Sequence, residues 1–336
     1  MKKPTVSLIV LNYNGKQHLR EYFDSVFKQT LLPDEVIMLD NASTDDSVAY
    51  VQKNFPKVRV IKNPTNDGTA LGSNIAFMES NGDLVIFQSN DLLLDKNCVK
   101  YLVDTISQNA RIGIVTSILL QYSRYKKDKK LIVDNAGGVM DVYGLGMQKY
   151  PEADYQSLQE VEEVSFSYGG SFIIRREIFL SVRGYDGKYF TLNDDIDLSW
   201  RVKLLGYNIV FCKNSFVFHK VSATLGTLFN RSIKRYWSER NAMRTLLKNH
   251  ILRDLFCYFP IYIFLLFGEM GFFLLKCRFD LFWSDMKALL WNIFYLPDTM
   301  SLRKYIQENK KINTLSSQLS KKSYKLMLFN SFKNTI

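Results

Sequence analysis

The sequence predicts an α/β fold built on a mostly parallel sheet, with a helical, membrane-associated segment at the C-terminal end. Two observations carry the first part. From residue 5 to about 119, short apolar runs alternate with stretches of helical periodicity, and that alternation is the signature of strand-helix-strand units. The first four apolar runs are then followed by polar residues, as strands of an open sheet are where they feed a ligand site. The second part rests on an almost wholly apolar stretch, Leu255–Leu275, flanked by basic residues.

Val6–Leu11, Val36–Leu39, Val58–Ile61, Leu84–Phe87 and Ile112–Leu119 read as buried strands, with helices expected near 16–28, 45–54, 71–80 and 96–109. The run Val6–Leu11 is too short for a signal peptide and is followed at once by Asn12-Tyr13-Asn14-Gly15, so it reads as the first strand. Residues 120–163 are less regular, with a charged run from Arg124 to Lys130 and glycines at 137, 138, 144 and 146. They are expected to form loops and a hairpin that carry acceptor contacts. Patterning resumes at Gly169–Arg176, a strand running into a helix. A loop from Gly184 to Leu192, a helix from Asp194 to Gly206, and two short strands, Asn208–Phe211 and Phe216–Phe218, lead to His219.

Asn230–Asn249 reads as a basic helix carrying Arg231, Lys234, Arg235, Arg240, Arg244 and Lys248. Leu255–Leu275 has the length to cross a ~30 Å hydrocarbon core, yet Glu269 lies inside it and cations flank both ends. A re-entrant or surface-lying helical pair bent at Gly268–Gly271 fits better than one crossing, and a core helix is the alternative. Leu281–Leu296, with Trp283 and Trp291, reads as an interfacial amphipathic helix. The basic tail (Lys304, Lys310, Lys311, Lys321, Lys322, Lys325) suits an anionic leaflet or is solvated.

The net charge of +11 and the pI near 9.3 suit an anionic partner without choosing among a nucleotide, a nucleic acid and a lipid surface. Cys98, Cys212, Cys257 and Cys277 form no CxxC pair, which argues against a disulfide framework or a zinc site and for a reducing cytoplasm. Three histidines are too few for a His-rich metal cluster.

Four candidate sites of chemistry stand out. Ser89-Asn90-Asp91 follows the fourth strand, and Asp91 could ligate Mg²⁺ or Mn²⁺ together with substrate phosphates, or simply cap a helix. Asn193-Asp194-Asp195-Ile196-Asp197 opens a helix, with Asn193 or Thr191 as its cap and Asp197 placed to pair with Arg201. Crowding of these acids would raise a carboxylate's pKa and make it a better base. His219, ahead of Lys220 and Ser222, is either a ligand or a structural residue. Asn66-Asp67-Gly68 and Gly72-Ser73-Asn74 place small residues at a helix entrance, where an anion can approach the backbone.

Taken in order, Val10–Asn14, Leu39–Asp45, Asn66–Asn74 and the block from Gly169-Gly170 through Asp194–Leu198 to His219 resemble the family-2 glycosyltransferases, in particular the rhamnosyltransferase-like branch, over about Val6 to Asn249. The resemblance implies the GT-A fold, a Rossmann-like mixed sheet flanked by helices. It divides the chain into a transferase domain at 1–225 (nucleotide half about 1–119, acceptor half about 120–225), basic and apolar helices at 226–300 and a basic tail at 301–336. It implies that Asn12 and Asp40 hold the nucleoside, with Tyr13, Asn14, Asn41, Ser43, Asp45 and Asn90 close by, and that Asn66, Gly68 and Asn74 lie near base and ribose. Asp91 matches the final acid of the metal-binding DxD motif, Asp195 the general base with Asp194 beside it, and His219 a histidine near metal and diphosphate. The chain departs from that pattern at Ser89, which stands where the motif's first acid would be.

The expected activity is inverting transfer from a nucleotide sugar to a glycan or lipid-linked acceptor, with a divalent cation, at the cytoplasmic face of the cell membrane. The protein would be peripheral or monotopic, touch an anionic membrane surface and bind no nucleic acid. A nucleotidyltransferase would need a glycine- and arginine-rich phosphate loop after the first strand, which Asn12–Gly15 is not. A catalytically inactive nucleotide-sugar-binding scaffold is the remaining alternative, with Ser89 its only hint.

Overall fold

The computed structural model describes residues 3–220, 230–316, 318–322 and 324–326. The expected domain boundary at 225/226, Ser222 and the end of the basic tail lie outside the described residues.

The first half winds as β1 (Val6–Asn12), α1 (Lys16–Val26), β2 (Glu35–Asn41), α2 (Ser47–Asn54), β3 (Val58–Asn63), α3 (Gly68–Met78), β4 (Leu84–Ser89), β5 (Leu92–Leu94), α4 (Cys98–Gln108) and β6 (Ile112–Gln121). A short helix α5 (Tyr122–Asp128) takes up most of the charged run read as irregular. Then come β7 (Val133–Asn135), a hairpin of β8 (Gly138–Met140) and β9 (Gly146–Gln148), β10 (Val161–Glu163), β11 (Ser171–Arg175), α6 (Arg176–Ser181), α7 (Asp194–Leu204) and β12 (Asn208–His219).

The main sheet runs β10-β12-β6-β11-β4-β1-β2-β3, with β5 added to β12 and β7 to β6. Strands β1 to β4 are mutually parallel, β11 enters antiparallel between β4 and β6, and β12 is parallel to β6. Alternation along β1 shows why both faces are covered. Leu8 and Val10 enter a core with Phe23 of α1 and Leu102 of α4, whereas Ile9 enters the opposite core with Phe77 of α3 and Leu198 of α7. The two short strands expected at 208–218 are one strand, with an irregularity between Cys212 and Phe216 that absorbs Lys213-Asn214-Ser215.

Four helices follow: α8 (Arg231–Asn249), α9 (Leu252–Leu275), α10 (Phe279–Phe294) and α11 (Leu296–Asn309). They join the sheet-bearing body through a third core in which Met243, Leu246, Tyr262 and Leu266 meet Met140, Phe166 and Trp200. Two expectations are corrected here. The apolar segment does not bend at Gly268–Gly271. Helix α9 runs unbroken through both glycines, which lie on its open side, and the chain reverses only after Leu275 through a left-handed Cys277. Nor do the cations of α8 form a membrane-facing stripe, because Arg235, Arg240, Arg244 and Lys248 are buried. Helix α8 lies between the sheet-bearing body and α9–α11, and both sides supply carboxylates. Arg244 meets Asp186 at 2.7 Å and Asp298 at 2.6 Å, and Lys248 meets Asp197 at 3.0 Å. Arg235 pairs with Glu269 and, at 2.8 Å, with Asp285. Lys325, counted in the basic tail, is buried against Glu239 and Glu269.

Candidate active site

Because β1, β2, β3 and β4 are parallel and in register, their carboxyl ends fall on one edge: Asn12 lies opposite Asp40, Asn41 opposite Asn63, and Leu11 opposite Ser89. Asn12 donates to Asp40 Oδ1 (2.8 Å) and Ser43 Oγ (3.1 Å), and Asn90 donates to Asn12 Oδ1 (2.7 Å). Ser43 Oγ in turn donates to Asp40 Oδ1 (2.6 Å), and Asn14 accepts from Thr44 N at 2.7 Å. Asp45 accepts from Lys16 N at 3.1 Å. These bonds tie three loops into one preorganised wall.

A cavity of about 470 Å³ opens above this edge, a size suited to a nucleotide-sized ligand. Asn12, Tyr13, Asn41, Asn66, Gly68, Asn90, Asp91, Asp194, Asp195 and His219 all line it. Asn14, Asp40, Ser43 and Asp45 stand behind that wall and brace it. Asn74 faces away, and its amide exchanges two hydrogen bonds with the Tyr185 backbone (2.8 and 2.9 Å).

Gly68 is left-handed (φ +74°), and a Cβ there would fall 2.0 Å from the Phe190 carbonyl oxygen. That contact lets Thr69 N bond Phe190 O at 2.7 Å and Thr69 Oγ1 bond Asp194 Oδ2 at 2.7 Å, so the entrance of α3 is fastened to the acidic loop.

On the opposite side, pairing of β5 with β12 sets His219 across from Leu92 and therefore beside Asp91. His219 Nε2 lies 3.3 Å from Asp91 Oδ2, and its Nδ1 lies 2.7 Å from Asp134 Oδ2. Burial opposes the charged imidazole, but the two carboxylates outweigh it and hold the pKa up at about 9. Burial likewise works against the Asp91 carboxylate, yet His219 keeps its pKa below the usual range. Asp91 Oδ1 is buried with no hydrogen-bond partner. An orphaned carboxylate oxygen beside an imidazole oriented by a second carboxylate suits a divalent cation. Among the described residues no cluster of three or more His, Cys, Asp or Glu forms a cage. Mg²⁺ and Mn²⁺ binding with one or two protein ligands and substrate phosphates matches that sparse set.

The acidic loop is the most constrained part of the site. Leu192 and Asn193 are both left-handed (φ +66° and +64°), a conformation costing about 1–3 kcal/mol for each such residue. Asn193 occupies the cap position of α7, but its side chain does not cap the helix; it donates to Gly144 O at 2.7 Å. Asn241 of α8 holds the strained turn by donating to Thr191 O (2.9 Å) and Leu192 O (2.7 Å). So fixed, Asp195 accepts from Ile196 N (2.8 Å) and Gly169 N (3.2 Å) and borders the cavity. Burial, and then the charge of Asp194, push its carboxyl up to about 7, and burial also raises Asp194. Asp197 points elsewhere, into a structural pairing with Arg201 at 2.7 Å. Thr69, Asp134 and Asn241 shape the site without having been singled out from the sequence, and Gly169, named there only as part of a motif, supplies a hydrogen bond to Asp195.

The family model described as glycosyl transferase family 2 matches residues 7–183, more than half of the chain. The N-acetylglucosaminyl-diphospho-decaprenol L-rhamnosyltransferase of Mycobacterium tuberculosis is 25% identical over 236 residues, 65% of this chain and 77% of that protein. A probable glycosyltransferase of Bacillus subtilis, YdaM, is 24% identical over 87% of this chain and 71% of its own length. Among solved structures, the mannosyltransferase PcManGT of Pyrobaculum calidifontis, in complex with GDP-Man and Mn²⁺, superposes with TM-score 0.53 at 14% identity, over 91% of this chain and 86% of that one. GalNAc-T7 with UDP, GalNAc and Mn²⁺ gives TM-score 0.60 at 18% identity; the match covers 73% of this chain and 48% of GalNAc-T7, so the chain spans about half of that protein's length. The chain is similar to the mycobacterial rhamnosyltransferase, has the GT-A fold of the solved structures, and belongs to glycosyl transferase family 2.

Proposed function

We propose that this enzyme transfers a sugar, with inversion at the anomeric carbon, from a nucleoside-diphosphate sugar to a lipid-linked glycan acceptor at the cytoplasmic face of a membrane, as a step in surface-polysaccharide or glycolipid assembly. The observation that carries the reading is the pairing, in one cavity, of a carboxylate tuned to about 7 with an orphaned carboxylate oxygen suited to a cation. Asp195 takes the acceptor hydroxyl proton as that oxygen attacks the anomeric carbon, and the bond from that carbon to the diphosphate oxygen breaks, releasing the nucleoside diphosphate. A base near pKa 7 is half ionised at neutral pH and still basic enough to accept the proton. Asp91 and His219 would hold Mg²⁺ or Mn²⁺, which supplies charge neutralisation at the diphosphate. The wall of Asn12, Asn41, Asn66 and Asn90 offers amides to base and ribose, and Gly68 leaves room for the close approach.

The mycobacterial relative is named for a diphospho-decaprenol substrate, which favours a lipid-linked acceptor here. The C-terminal helices support the membrane side of the reading. Helix α9 is the one helix among the described residues long and apolar enough to cross a membrane. Its two acids, however, face inward, and its one cation, the exposed Arg253, sits in the first turn: Asp254 and Glu269 are buried, whereas Phe256, Ile261, Phe264, Phe267 and Leu275 are exposed. Helix α10 continues that apolar face with Phe279, Trp283, Leu290, Ile293 and Phe294. A helix anchored through Tyr262, Leu266 and Met270 to the body and apolar on its outer side lies on a bilayer rather than through it.

The test is nucleoside-diphosphate release and product analysis with a panel of nucleotide sugars, Mg²⁺ or Mn²⁺ and polyprenyl-linked acceptors. One donor should support lipid-dependent release, give a product of opposite anomeric configuration, and lose turnover in Asp195→Asn. Retained configuration, or turnover that survives that substitution, would overturn the mechanism.

A further inference from the structure

Tyr168 lines the cavity but belongs to neither the amide wall, the cation corner nor the base. Its place is set by the two residues that follow it. The pairing of Ser171 with Gln88, continued by one residue, sets Gly170 opposite Ser89, and Ser89 N donates to Gly170 O at 2.9 Å. Gly169 N donates to Asp195 Oδ2 at 3.2 Å. The chain at Tyr168 is thus tied to the end of β4 and to the proposed base at once.

The ring folds back over Gly170. A Cβ at that glycine would lie 3.3 Å from Tyr168 Cδ1 and Cε1 and 3.2 Å from Leu119 Cδ2, so the missing side chain leaves the space in which the ring rests. Leu119 pairs with Asn135 of β7 and with Val217 of β12, the strands that carry Asp134 and His219. The ring therefore stands between Asp195 on one side and the corner of Asp91, His219 and Asp134 on the other. It is half-buried, and among the described residues its hydroxyl has no hydrogen-bond partner. Burial, and then the charges of Asp195, Asp134, Asp91 and Asp194, raise the phenol's pKa and keep it protonated. Amid four carboxylates it is a neutral donor rather than a fifth anion.

We infer that Tyr168 donates a hydrogen bond from Oη to the phosphate oxygen that leaves the anomeric carbon. This rests on the proposed transfer from a nucleotide sugar, and adds to it a residue that acts on the leaving group. In an in-line displacement the leaving oxygen lies across the anomeric carbon from the attacking hydroxyl. With that hydroxyl at Asp195, the leaving oxygen lies towards the corner of Asp91 and His219. As the bond from carbon to this oxygen breaks, the electron pair stays on the oxygen and negative charge grows there. The acceptor proton goes to Asp195, and Tyr168 keeps its own. A donor fixed in place before the charge appears stabilises the transition state more than the ground state. Ser89 leaves that corner without the motif's first acid, and the phenol places a neutral donor beside it.

Tyr168→Phe removes one oxygen and keeps the ring over Gly170. With the nucleotide sugar that supports release, the quantities read are kcat, donor KM and inhibition by the free nucleoside diphosphate. The variant's kcat should fall about 10²-fold while donor KM stays within about threefold of wild type. The inhibition constant should rise about tenfold, because the product keeps on its terminal phosphate the charge that forms in the transition state. A contact to a sugar hydroxyl would instead raise donor KM and leave that inhibition unchanged, and a packing role would lower kcat without touching it. Either result overturns the proposal, as does a kcat within about threefold of wild type. Release that is lost in Asp195→Asn but untouched by Tyr168→Phe sinks the proposal alone. Absence of release by the wild type with every nucleotide sugar sinks the transferase reading, and the proposal with it.

Discussion

Asn241→Ala probes the connection between the C-terminal helices and Asp195, the proposed base. The amide of Asn241 is buried and donates to two carbonyls of one turn, Thr191 O and Leu192 O, immediately before the left-handed pair Leu192-Asn193. Removing it leaves two carbonyl oxygens short of a donor, at about 1–3 kcal/mol each when no water replaces it. It also frees a turn that stores about 1–3 kcal/mol per left-handed residue. The two effects oppose each other, because relaxation of the turn recovers part of the lost bonding energy. Net destabilisation is therefore expected to be about 2–3 kcal/mol, and the recovered part comes from moving Asp195. A displacement of order 1 Å at a base costs about 10²-fold in rate. The donor wall of Asn12, Asp40 and Asn90 hangs on β1, β2 and β4 instead, so the donor KM should change little. Steady-state nucleoside-diphosphate release, with thermal unfolding of the same preparation, measures both. A kcat within about threefold of wild type beside a lowered Tm would refute the reasoning, because it would show that α8 supports the fold and not the base.

Other expectations follow from the same geometry. The raised Asp195 carboxyl predicts that kcat/KM climbs about tenfold per unit as pH rises towards 7 and levels off above it; a profile flat from pH 5 to 8 would exclude Asp195 as the base. Because its folded pKa lies above the unfolded value near 4, the stability it contributes is present below pH 4 and is lost as pH rises through 7. Asp195→Asn should therefore unfold at a higher temperature than wild type at pH 8, with the gap closing near pH 4. Arg235→Met leaves Glu239, Glu269 and Asp285 facing only Lys325 and should destabilise by about 3–5 kcal/mol in a denaturant titration. Phe256→Glu/Phe264→Glu removes two exposed rings worth about 1.5–3 kcal/mol each on burial in lipid. It should shift the protein from sedimenting anionic vesicles to the supernatant, and unchanged sedimentation would count against a surface-lying α9.

Local chemistry was legible in the sequence where one strand and its own following loop supply it. The runs Val6–Leu11 and Val36–Leu39 read as strands because burial on both faces leaves them uniformly apolar, and the polar text after each fell on the cavity wall or just behind it. The entrance of α3 came out three residues early, at Gly68 rather than 71, because Thr69 is held at the helix start by the Phe190 carbonyl, 121 residues away. Long-range partners left no local trace. Asp134 orients His219 only because β7 pairs with β6 and β12 lies on β6's other side, and the residues around Asp134 read as irregular. Asn74 matched a motif near base and ribose, yet its amide satisfies the backbone of Tyr185, a pairing that sequence spacing cannot register.

The basic helix shows why composition misleads in a different way. A run of arginines beside an apolar segment reads as a lipid-facing stripe, since isolated cations seek water or anionic headgroups. In the folded chain the acids come from Asp186 before α7, Asp285 of α10 and Glu269 inside the apolar helix itself, so the charges neutralise one another internally. That inversion gives Glu269 its meaning. A lone carboxylate in an apolar helix argued for a bend or a re-entrant path, but paired with Arg235 and Lys325 it pins α9 to α8 and leaves the phenylalanines on the outside. Helix α8 thereby has two attachments, to the apolar helices through Arg235 and to the Asp195 loop through Asn241. Under the proposed function, the apolar surface that would meet a lipid and the carboxylate that would activate an acceptor hydroxyl are thus tied to one helix, which would fix the depth at which a lipid-linked acceptor presents its sugar to Asp195.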